Sequence, residues 1–342
     1  MSHVTRLFSL LCCCLVSGVN WCGAQERDVK FHHLTAEEGL PSNTVNGVIR
    51  DSRGFIWIAT ENGVARYDAY SFVSFRAKEN DSISISSNIT YTLLEDTRQR
   101  LWIGSEKGLD LYNRELDRFD KHFFKGIPVR AIYQDRKGRL WVGSDQGLYL
   151  YQETNGTFIK PYAQIFDVHE MVYNTIPSIL EDRHGNLWVG TSNGIHVLEE
   201  STGNFLHFVY RKNQVGTLSG NNVRKIVEDP SGRIWIATYG GGLNLYQPEE
   251  KAFKPFRHVF GSTAGISSVL LPTLWVQDNG KIWIGTDGRG IDIFNPETNE
   301  FQHIVHSPYN SKSLNNNVVR SISSDERGGI WVGTYNGECT MC

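Results

Sequence analysis

Seven aspartates recur along the chain, each shortly before a tryptophan. They are Asp51, Asp96, Asp135, Asp182, Asp229, Asp278 and Asp325. Carboxylates in register could bind calcium or form a catalytic array, because their oxygens are calcium ligands and proton acceptors. Here they are spaced one per repeat with no second ligand set, and most are followed by glycine in the pattern Asp-x-x-Gly. We interpret them as turns, in which Asp bonds its own backbone and Gly supplies a positive φ.

The other reactive residues form no recognisable catalytic pattern. His32 and His33 would point to opposite faces of a strand, which makes them poor joint metal ligands. Cys339 and Cys342 form a solitary Cys-x-x-Cys at the end of the chain. Nucleophile elbows, phosphate-binding loops and zinc-protease motifs are missing from the sequence. The sequence therefore predicts no catalytic residue, no metal site and no cofactor.

The aspartates belong to a longer repeat with four predicted strands. Its tryptophans are Trp57, Trp102, Trp141, Trp188, Trp235, Trp283 and Trp331, at intervals of 45, 39, 47, 47, 48 and 48 residues by subtraction. Each repeat reads as a Val/Ile-rich strand, the Asp turn, a strand around the Trp, an alternating strand such as residues 242–246, and an aromatic strand such as residues 205–208. Four antiparallel strands in a period of about 45 residues predict an all-β, seven-bladed β-propeller.

Several repeats depart from the pattern. Gln99 replaces the turn glycine in the second, and Pro272 precedes the first strand of the sixth, whose turn at Asp278 looks one residue short. The segment 29–35 resembles a fourth strand with no partners before it, so we expect it to close the last blade. Residues 336–342 break the apolar alternation of a third strand, so the last blade is predicted to be incomplete within its own repeat.

The first residues resemble an export signal. Residues 1–24 combine Arg6, an apolar run from Leu7 to Val19 and a small-residue end, which predicts cleavage after Ala24 and a periplasmic or secreted protein. A lipid anchor on Cys22 is an alternative. Residues 25–342 are then one propeller domain without membrane insertion. A net charge of −3 gives no indication of nucleic acid as a partner.

Strand alternation places the turns between second and third strands on the face that carries the long interblade loops. The candidate ligand-binding residues lie on these turns or at the starts of first strands: Glu61, Asn62, Glu106, Lys107, Asp145, Gln146, Asn193, Arg224, Tyr239, Asp287, Arg289, Tyr335 and Asn336. Tyr91, Arg130, Arg320 and the asparagines Asn43, Asn88, Asn222 and Asn317 lie near the same rim. Amides, charges and tyrosines around a funnel suit a hydroxyl-rich ligand, although Asn before a strand is also a common turn former.

Two other functions remain open at this stage. A propeller lyase or glycosidase would need two converging carboxylates, for which Glu61, Glu106, Asp145 and Asp287 are the candidates. A protein-docking platform would need a large exposed apolar patch.

The consensus Asn-x-Val-x-x-Ile-x-x-Asp-x-x-Gly-x-Leu-Trp-Ile-Gly-Thr-x-x-Gly-Leu-x-x-Tyr resembles the two-component regulator propeller repeat, and residues 31–43 resemble the usual opening of such sensors. The resemblance covers residues 29–337. It implies the periplasmic sensor propeller of a hybrid two-component regulator of glycan use, an oligosaccharide ligand and a homodimer. Such sensors continue into a second propeller, an immunoglobulin-like domain, a membrane helix, a kinase and a DNA-binding domain. We find none of these in the sequence and expect a truncated sensor.

Overall fold

The structure is a computed structural model that describes residues 29–166, 175–258, 264–325, 328–337 and 339–342. The predicted export signal, residues 1–24, and the alternative anchor site Cys22 lie outside the described residues.

The described residues form seven four-stranded antiparallel sheets, arranged as the predicted seven-bladed propeller. In blades 1 to 6 the strands follow chain order from the central channel outward. Blade 1 contains β2 (Val45–Arg50), β3 (Ile56–Thr60), β4 (Gly63–Tyr67) and β5 (Phe72–Phe75). Blade 2 contains β6 (Thr90–Glu95), β7 (Leu101–Ser105), β8 (Gly108–Asn113) and β9 (Arg118–Phe123). Blade 3 contains β10 (Val129–Gln134), β11 (Leu140–Ser144), β12 (Gly147–Gln152) and β13 (Thr157–Ile159).

The next three blades repeat this order. Blade 4 contains β14 (Ser178–Glu181), β15 (Leu187–Thr191), β16 (Gly194–Leu198) and β17 (Phe205–Phe208). Blade 5 contains β18 (Val223–Glu228), β19 (Ile234–Thr238), β20 (Gly242–Gln247) and β21 (Ala252–Phe256). Blade 6 contains β22 (Thr273–Val276), β23 (Ile282–Gly285), β24 (Ile291–Asn295) and β25 (Glu300–Ile304).

Blade 7 joins the two ends of the chain, as the sequence predicts. It contains β26 (Val319–Ser324), β27 (Ile330–Thr334), β28 (Cys339–Met341) and, as its outer strand, β1 (His32–Leu34). Despite the broken apolar alternation of residues 336–342, Cys339–Met341 pairs with both neighbours, so this blade also has four strands. Cys339 is fully buried in the core between blades 7 and 1 and Cys342 is half-buried; burial raises the pKa of each thiol to about 12.

The hydrophobic core lies between blades rather than in one centre. Seven clusters of buried side chains occupy the seven spaces between adjacent blades in the described structure. The second strands of the blades are buried along almost their whole length, and their tryptophans are among the largest buried side chains. A strand covered on both faces reads as a continuous apolar run, which explains the repeated Leu-Trp-Val-Gly-Thr type of sequence.

Each Asp turn is fixed by a hydrogen bond to its tryptophan. In blade 1, Asp51 Oδ1 accepts the backbone N–H groups of Arg53 and Phe55, while Asp51 Oδ2 accepts Trp57 Nε1–H at 2.9 Å. The same Asp–Trp bond occurs in blades 2, 3, 4, 5 and 7. The carboxylates are thus used to cap the turn and to satisfy a buried indole, which agrees with the turn interpretation.

Blade 6 corrects one detail of the sequence interpretation. Its turn begins at Gln277, six residues before Trp283, and not at Asp278. Gln277 N–H donates to the Lys281 carbonyl and Gly280 N–H donates to the Gln277 carbonyl, as at the aspartate turns. No residue is therefore missing from this turn, and glutamine occupies the aspartate position.

Among the described residues the only helix is α1 (Ala163–Phe166), a single turn after β13. No helix in this part of the chain has the length and apolar character needed to cross a bilayer.

Candidate functional site

The first strands of the seven blades surround a central channel with a cavity of about 320 Å³. Its wall is formed by residues of β2, β6, β10, β14, β18 and β26, together with Pro272 and Thr273 at the start of β22. Four cations are among these lining residues: Arg130, Arg224, Lys225 and Arg320.

Five of the seven first strands carry a β-bulge at their channel mouth. The register of each strand slips by one residue after its first pair, which leaves one unpaired residue in blades 1, 2, 3, 5 and 7. The bulged residues are Asn46, Tyr91, Arg130, Arg224 and Arg320, and all five line the channel. A bulge bends a strand and re-aims a side chain. The repeat therefore presents one polar side chain per bulged blade to the same opening, which we call the mouth.

Backbone hydrogen bonds bring the predicted turns to this mouth. In the five bulged blades, the residue that follows the second strand donates its N–H to the residue just before the first strand of the same blade. Tyr335 donates to Val318 in blade 7, and Tyr239 donates to Asn222 in blade 5. The equivalent bond in blade 3 joins Asp145 N–H to the Pro128 carbonyl. Residues of the turns between second and third strands therefore lie beside the bulges.

Three side chains from blades 2 and 3 form one group at the mouth. The Arg130 guanidinium lies 4.2 Å from the centre of the Tyr91 ring and makes two hydrogen bonds with Asp145, of 2.9 and 2.8 Å. Burial opposes the charge on Arg130, but the bonds to Asp145 outweigh it and hold the pKa above its ordinary value. The positive charge of Arg130 is therefore already neutralised by Asp145 within the protein.

A second group joins blades 5 and 6. The Arg224 guanidinium lies 5.2 Å from the centre of the Tyr239 ring, and the Tyr239 hydroxyl donates a short hydrogen bond to Asp287 Oδ2. That bond, with burial, raises the pKa of Tyr239. Burial lowers the pKa of Arg224, and the charges of Arg130 and Arg320 lower it further. These arginines therefore interact across the mouth.

Blade 7 supplies a third arginine–tyrosine pair. The Arg320 guanidinium lies 4.9 Å from the centre of the Tyr335 ring, and both side chains are exposed. Three tyrosines, each with an arginine over its ring, thus surround one opening. Cation–π contacts of this kind are worth about 0.5–2 kcal/mol each and hold the rings in place.

Lys225 is a functional candidate that the sequence does not reveal. It follows the Arg224 bulge and lines the channel, where six small residues occupy the same register level: Gly47, Thr92, Ala131, Ser178, Thr273 and Ser321. Its side chain is exposed to the channel, and desolvation by the surrounding ring of blades lowers the pKa of the amine. The sequence contains one indication of its role: when the repeats are aligned by strand register, Lys225 is a long side chain at a position where the other six blades have small residues.

Of the thirteen predicted site residues, Arg224 lines the channel. Asp145, Tyr239 and Tyr335 contact the lining arginines, and Asp287 accepts the hydroxyl of Tyr239. The remaining eight are Glu61, Asn62, Glu106, Lys107, Gln146, Asn193, Arg289 and Asn336; among them, Glu106 lies close to Tyr91, and burial together with the charge of Glu106 raises the pKa of that tyrosine. Some of these have local structural roles. Asn62 Nδ2 donates to the Pro41 carbonyl, and the Asn193 carbonyl bonds His207 Nε2. The structure thus brings together five of the thirteen predicted residues.

The asparagines near the rim mainly order the interblade loops. The side-chain oxygens of Asn43, Asn88 and Asn317 accept the backbone N–H groups of Ala36, Ala77 and His306, respectively. These three asparagines therefore act as turn formers, the alternative given above.

Two of the four acids considered for catalysis are already engaged. Asp145 is paired with Arg130, and Asp287 accepts the hydroxyl of Tyr239. No group of three or more His, Cys, Asp or Glu side chains suited to a metal ion occurs in the described ranges. His33 Nε2 bonds the Ser311 carbonyl at 3.0 Å, and the adjacent His32 and His33 alternate along β1. The arrangement at the mouth can bind and orient a polar molecule.

Fold and mouth together define a closed seven-bladed propeller with a polar, cationic channel opening. In a comparison with known protein families, the two-component regulator propeller repeat matches six segments of the chain: residues 39–62, 84–107, 124–146, 171–193, 217–240 and 313–336. These six matches agree with the resemblance seen in the sequence. The turn of blade 6, where Gln277 replaces aspartate, falls outside the matched segments.

Solved structures with the same fold include extracellular domains from B. thetaiotaomicron. One, from a protein named as the hybrid two component system BT3049, is 24% identical with a TM-score of 0.75, and the match covers 92% of this chain and 41% of that one. Another, from BT4673, is 27% identical with a TM-score of 0.72, covering 91% and 39%. PorZ of Porphyromonas gingivalis, described as a surface component of the type-IX secretion system, is 16% identical with a TM-score of 0.65, covering 90% and 47%.

The chain spans about two fifths of the length of the first two of these structures. No curated protein sequence matches it.

Proposed function

We propose that this propeller is the ligand-binding part of an extracellular sensor of the two-component class, and that it binds a glycan at the channel mouth. The six repeat matches and the likeness to extracellular domains of hybrid two-component systems support the sensor role. The observation that carries the binding site is the set of three arginine–tyrosine pairs around one opening.

The chemistry of the mouth suits a sugar. Aromatic rings stack on the apolar faces of pyranose rings, while guanidinium and carboxylate groups bond hydroxyls. Tyr335 is the best placed platform, because its ring is 40% exposed and its arginine partner holds it from one side. The bulges and the closed ring of blades fix these groups before any ligand arrives, which lowers the entropy cost of binding.

Binding rather than catalysis is the activity that we propose. A glycosidase or lyase site requires a carboxylate free to donate or accept a proton. Asp145 and Asp287 are instead held by Arg130 and Tyr239. We also propose that residues 1–24 direct export and that the protein works in the periplasm or outside the cell; the extracellular origin of the similar domains supports this location.

Binding of the purified chain to an array of plant, host and microbial oligosaccharides tests the proposal. We expect at least one oligosaccharide to bind, and Tyr335→Ala to weaken its binding at least tenfold. Tyr70→Ala is the matched control, because Tyr70 is 94% exposed on a turn between third and fourth strands and should leave binding unchanged. A folded chain that binds no oligosaccharide, or equal binding by the Tyr335→Ala variant, would contradict a glycan site at the mouth.

A further inference from the structure

The channel has an unusual balance of charge. Its lining residues include four cations, Arg130, Arg224, Lys225 and Arg320, and no aspartate or glutamate among the described residues. Only Arg130 has a carboxylate partner, since it is bonded to Asp145. The ion pairs of the described structure include none for Arg224, Lys225 or Arg320.

The surrounding protein desolvates two of the three unpaired cations, Arg224 and Lys225. Arg224 Nε is buried and makes no hydrogen bond to any described group. Burial lowers the pKa of both Arg224 and Lys225, and the neighbouring arginines add repulsion at Arg224. Buried cations are normally paired, because removal from water disfavours the charged form. A site that keeps several cations unpaired in an accessible cavity is organised for an anion from outside.

We propose that the ligand of this sensor is acidic, and that its carboxylate or sulfate group enters the channel mouth and binds Arg224, Lys225 and Arg320. The inference rests on the glycan-binding function proposed above and adds the chemical class of the glycan. Arg224 and Arg320 lie at bulges, so their guanidinium groups border the opening, and the Lys225 amine lies one register level further in.

The space in the channel is suited to a small oxyanion. The six residues at the level of Lys225 are glycine, alanine, serine or threonine, so no other long side chain fills the channel there. The serine and threonine hydroxyls at this level can donate further hydrogen bonds to an oxyanion. Tyr239 and Tyr335, each under an arginine, would remain available for the rest of the sugar.

Titration calorimetry with paired probes tests the proposal. The acidic probes are an oligogalacturonate and a κ-carrageenan oligosaccharide; the neutral controls are the methyl ester of the first and the desulfated form of the second. Inorganic sulfate is a third probe, which separates a free anion from one carried by a sugar. We expect an acidic oligosaccharide to bind at least tenfold more tightly than its neutral counterpart, with affinity that falls as salt increases.

Two variants connect this binding to the channel. Lys225→Met and Arg320→Gln should each weaken acidic binding at least tenfold. Arg53→Gln is the matched control, because Arg53 is exposed on an Asp turn of the opposite face and should have no effect. A second readout is the melting temperature of the protein without added ligand, which Lys225→Met should not lower because it removes an unpaired, partly desolvated charge.

The outcomes separate this inference from the proposed function. Equal binding of acidic and neutral oligosaccharides, unchanged by Lys225→Met, would overturn the acidic class and leave the glycan sensor standing. Binding of sulfate that depends on Lys225, without binding of any sugar, would support the anion site and contradict the glycan function. Binding of none of these probes would overturn the acidic class, and the oligosaccharide array described above would then decide the glycan function separately.

Discussion

Trp283 Nε1–H donates a hydrogen bond of 3.2 Å to Gln277 Oε1, at the position where the other six blades have an aspartate. An amide oxygen is a weaker acceptor than a carboxylate. The hydrogen bonds of the turn backbone differ as well: Lys281 N–H donates to Asn279 Oδ1, whereas the equivalent N–H in the other blades donates to the turn aspartate. Blade 6 therefore keeps the turn of the repeat with fewer and weaker bonds.

Restoring the carboxylate should stabilise the propeller. We expect Gln277→Asp to raise the free energy of unfolding by about 1 kcal/mol, since hydrogen bonds to charged groups exceed neutral ones by roughly this amount. Urea denaturation measures the change. The reciprocal variant Asp229→Gln in blade 5 should lower stability by at least as much, because Asp229 bonds Trp235, Arg233 and two backbone N–H groups. A decrease for Gln277→Asp would contradict the role assigned to the turn carboxylates.

The turn of blade 2 offers a separate test of backbone strain. Gln99 has φ of +59°, whereas glycine adopts a positive φ at the equivalent position of the other blades, such as Gly138 with +76°. Left-handed backbone costs a non-glycine residue about 1 kcal/mol, so Gln99→Gly should raise the melting temperature by a few degrees. Gly138→Gln is the reciprocal control, because a Cβ there meets nothing within 4 Å and only the strain is added. Equal melting temperatures for all three proteins would exclude strain at this position.

The stacked pair of His196 and His207 should make stability depend on pH. Their ring centroids are 4.1 Å apart, and burial, with the charge of His207, lowers the pKa of His196 to about 3. Between pH 6.5 and 3 the unfolded chain therefore binds a proton that the folded chain excludes. As pH decreases through this window, the free energy of unfolding should decrease too, by at most about 1.4 kcal/mol per pH unit from this residue. His196→Phe should reduce the slope in urea titrations between pH 7.5 and 5.

His122 should act in the opposite direction over a neighbouring range. Its hydrogen bond to Asp110, at 2.6 Å, raises the pKa of the imidazole. The folded chain then holds a proton that the unfolded chain has lost, so this contribution is present below pH 6.5 and disappears as pH rises through the raised pKa. His122→Gln should therefore remove the gain in stability that occurs as pH falls from the raised pKa to 6.5, and should leave the slope below pH 6.5, which His196→Phe reduces, unchanged. Parallel slopes for the two variants would contradict the assignment.

The repeat pattern allows the blade architecture to be predicted, but not the mouth. The period of the tryptophans and the alternating third strands give seven blades, and the segment around Phe31 gives the closing strand, because these features are set by local pattern and burial. The bulges at Arg130, Arg224 and Arg320 leave no mark in the sequence, since an extra residue in one strand is defined only against its partner. Register also decides whether Lys225 meets large or small neighbours. The sequence therefore does not predict the exact register between paired strands, and the composition of the mouth depends on that register.

Closure by the N-terminal strand makes Phe31 critical for stability. Phe31 is 1% exposed and packs with Trp283, Ile330 and other residues of the core between blades 6 and 7, although about 300 residues separate it from Ile330 along the chain. Its N–H also donates to the Lys312 carbonyl, at 2.9 Å. Phe31→Ala should lower the free energy of unfolding by about 3–5 kcal/mol, the usual cost of emptying a buried aromatic site. Tyr309→Ala, at a 98% exposed position, should change it by less than about 0.5 kcal/mol. If Phe31→Ala were as mild as the surface control, the end-to-end pairing would not hold the ring closed.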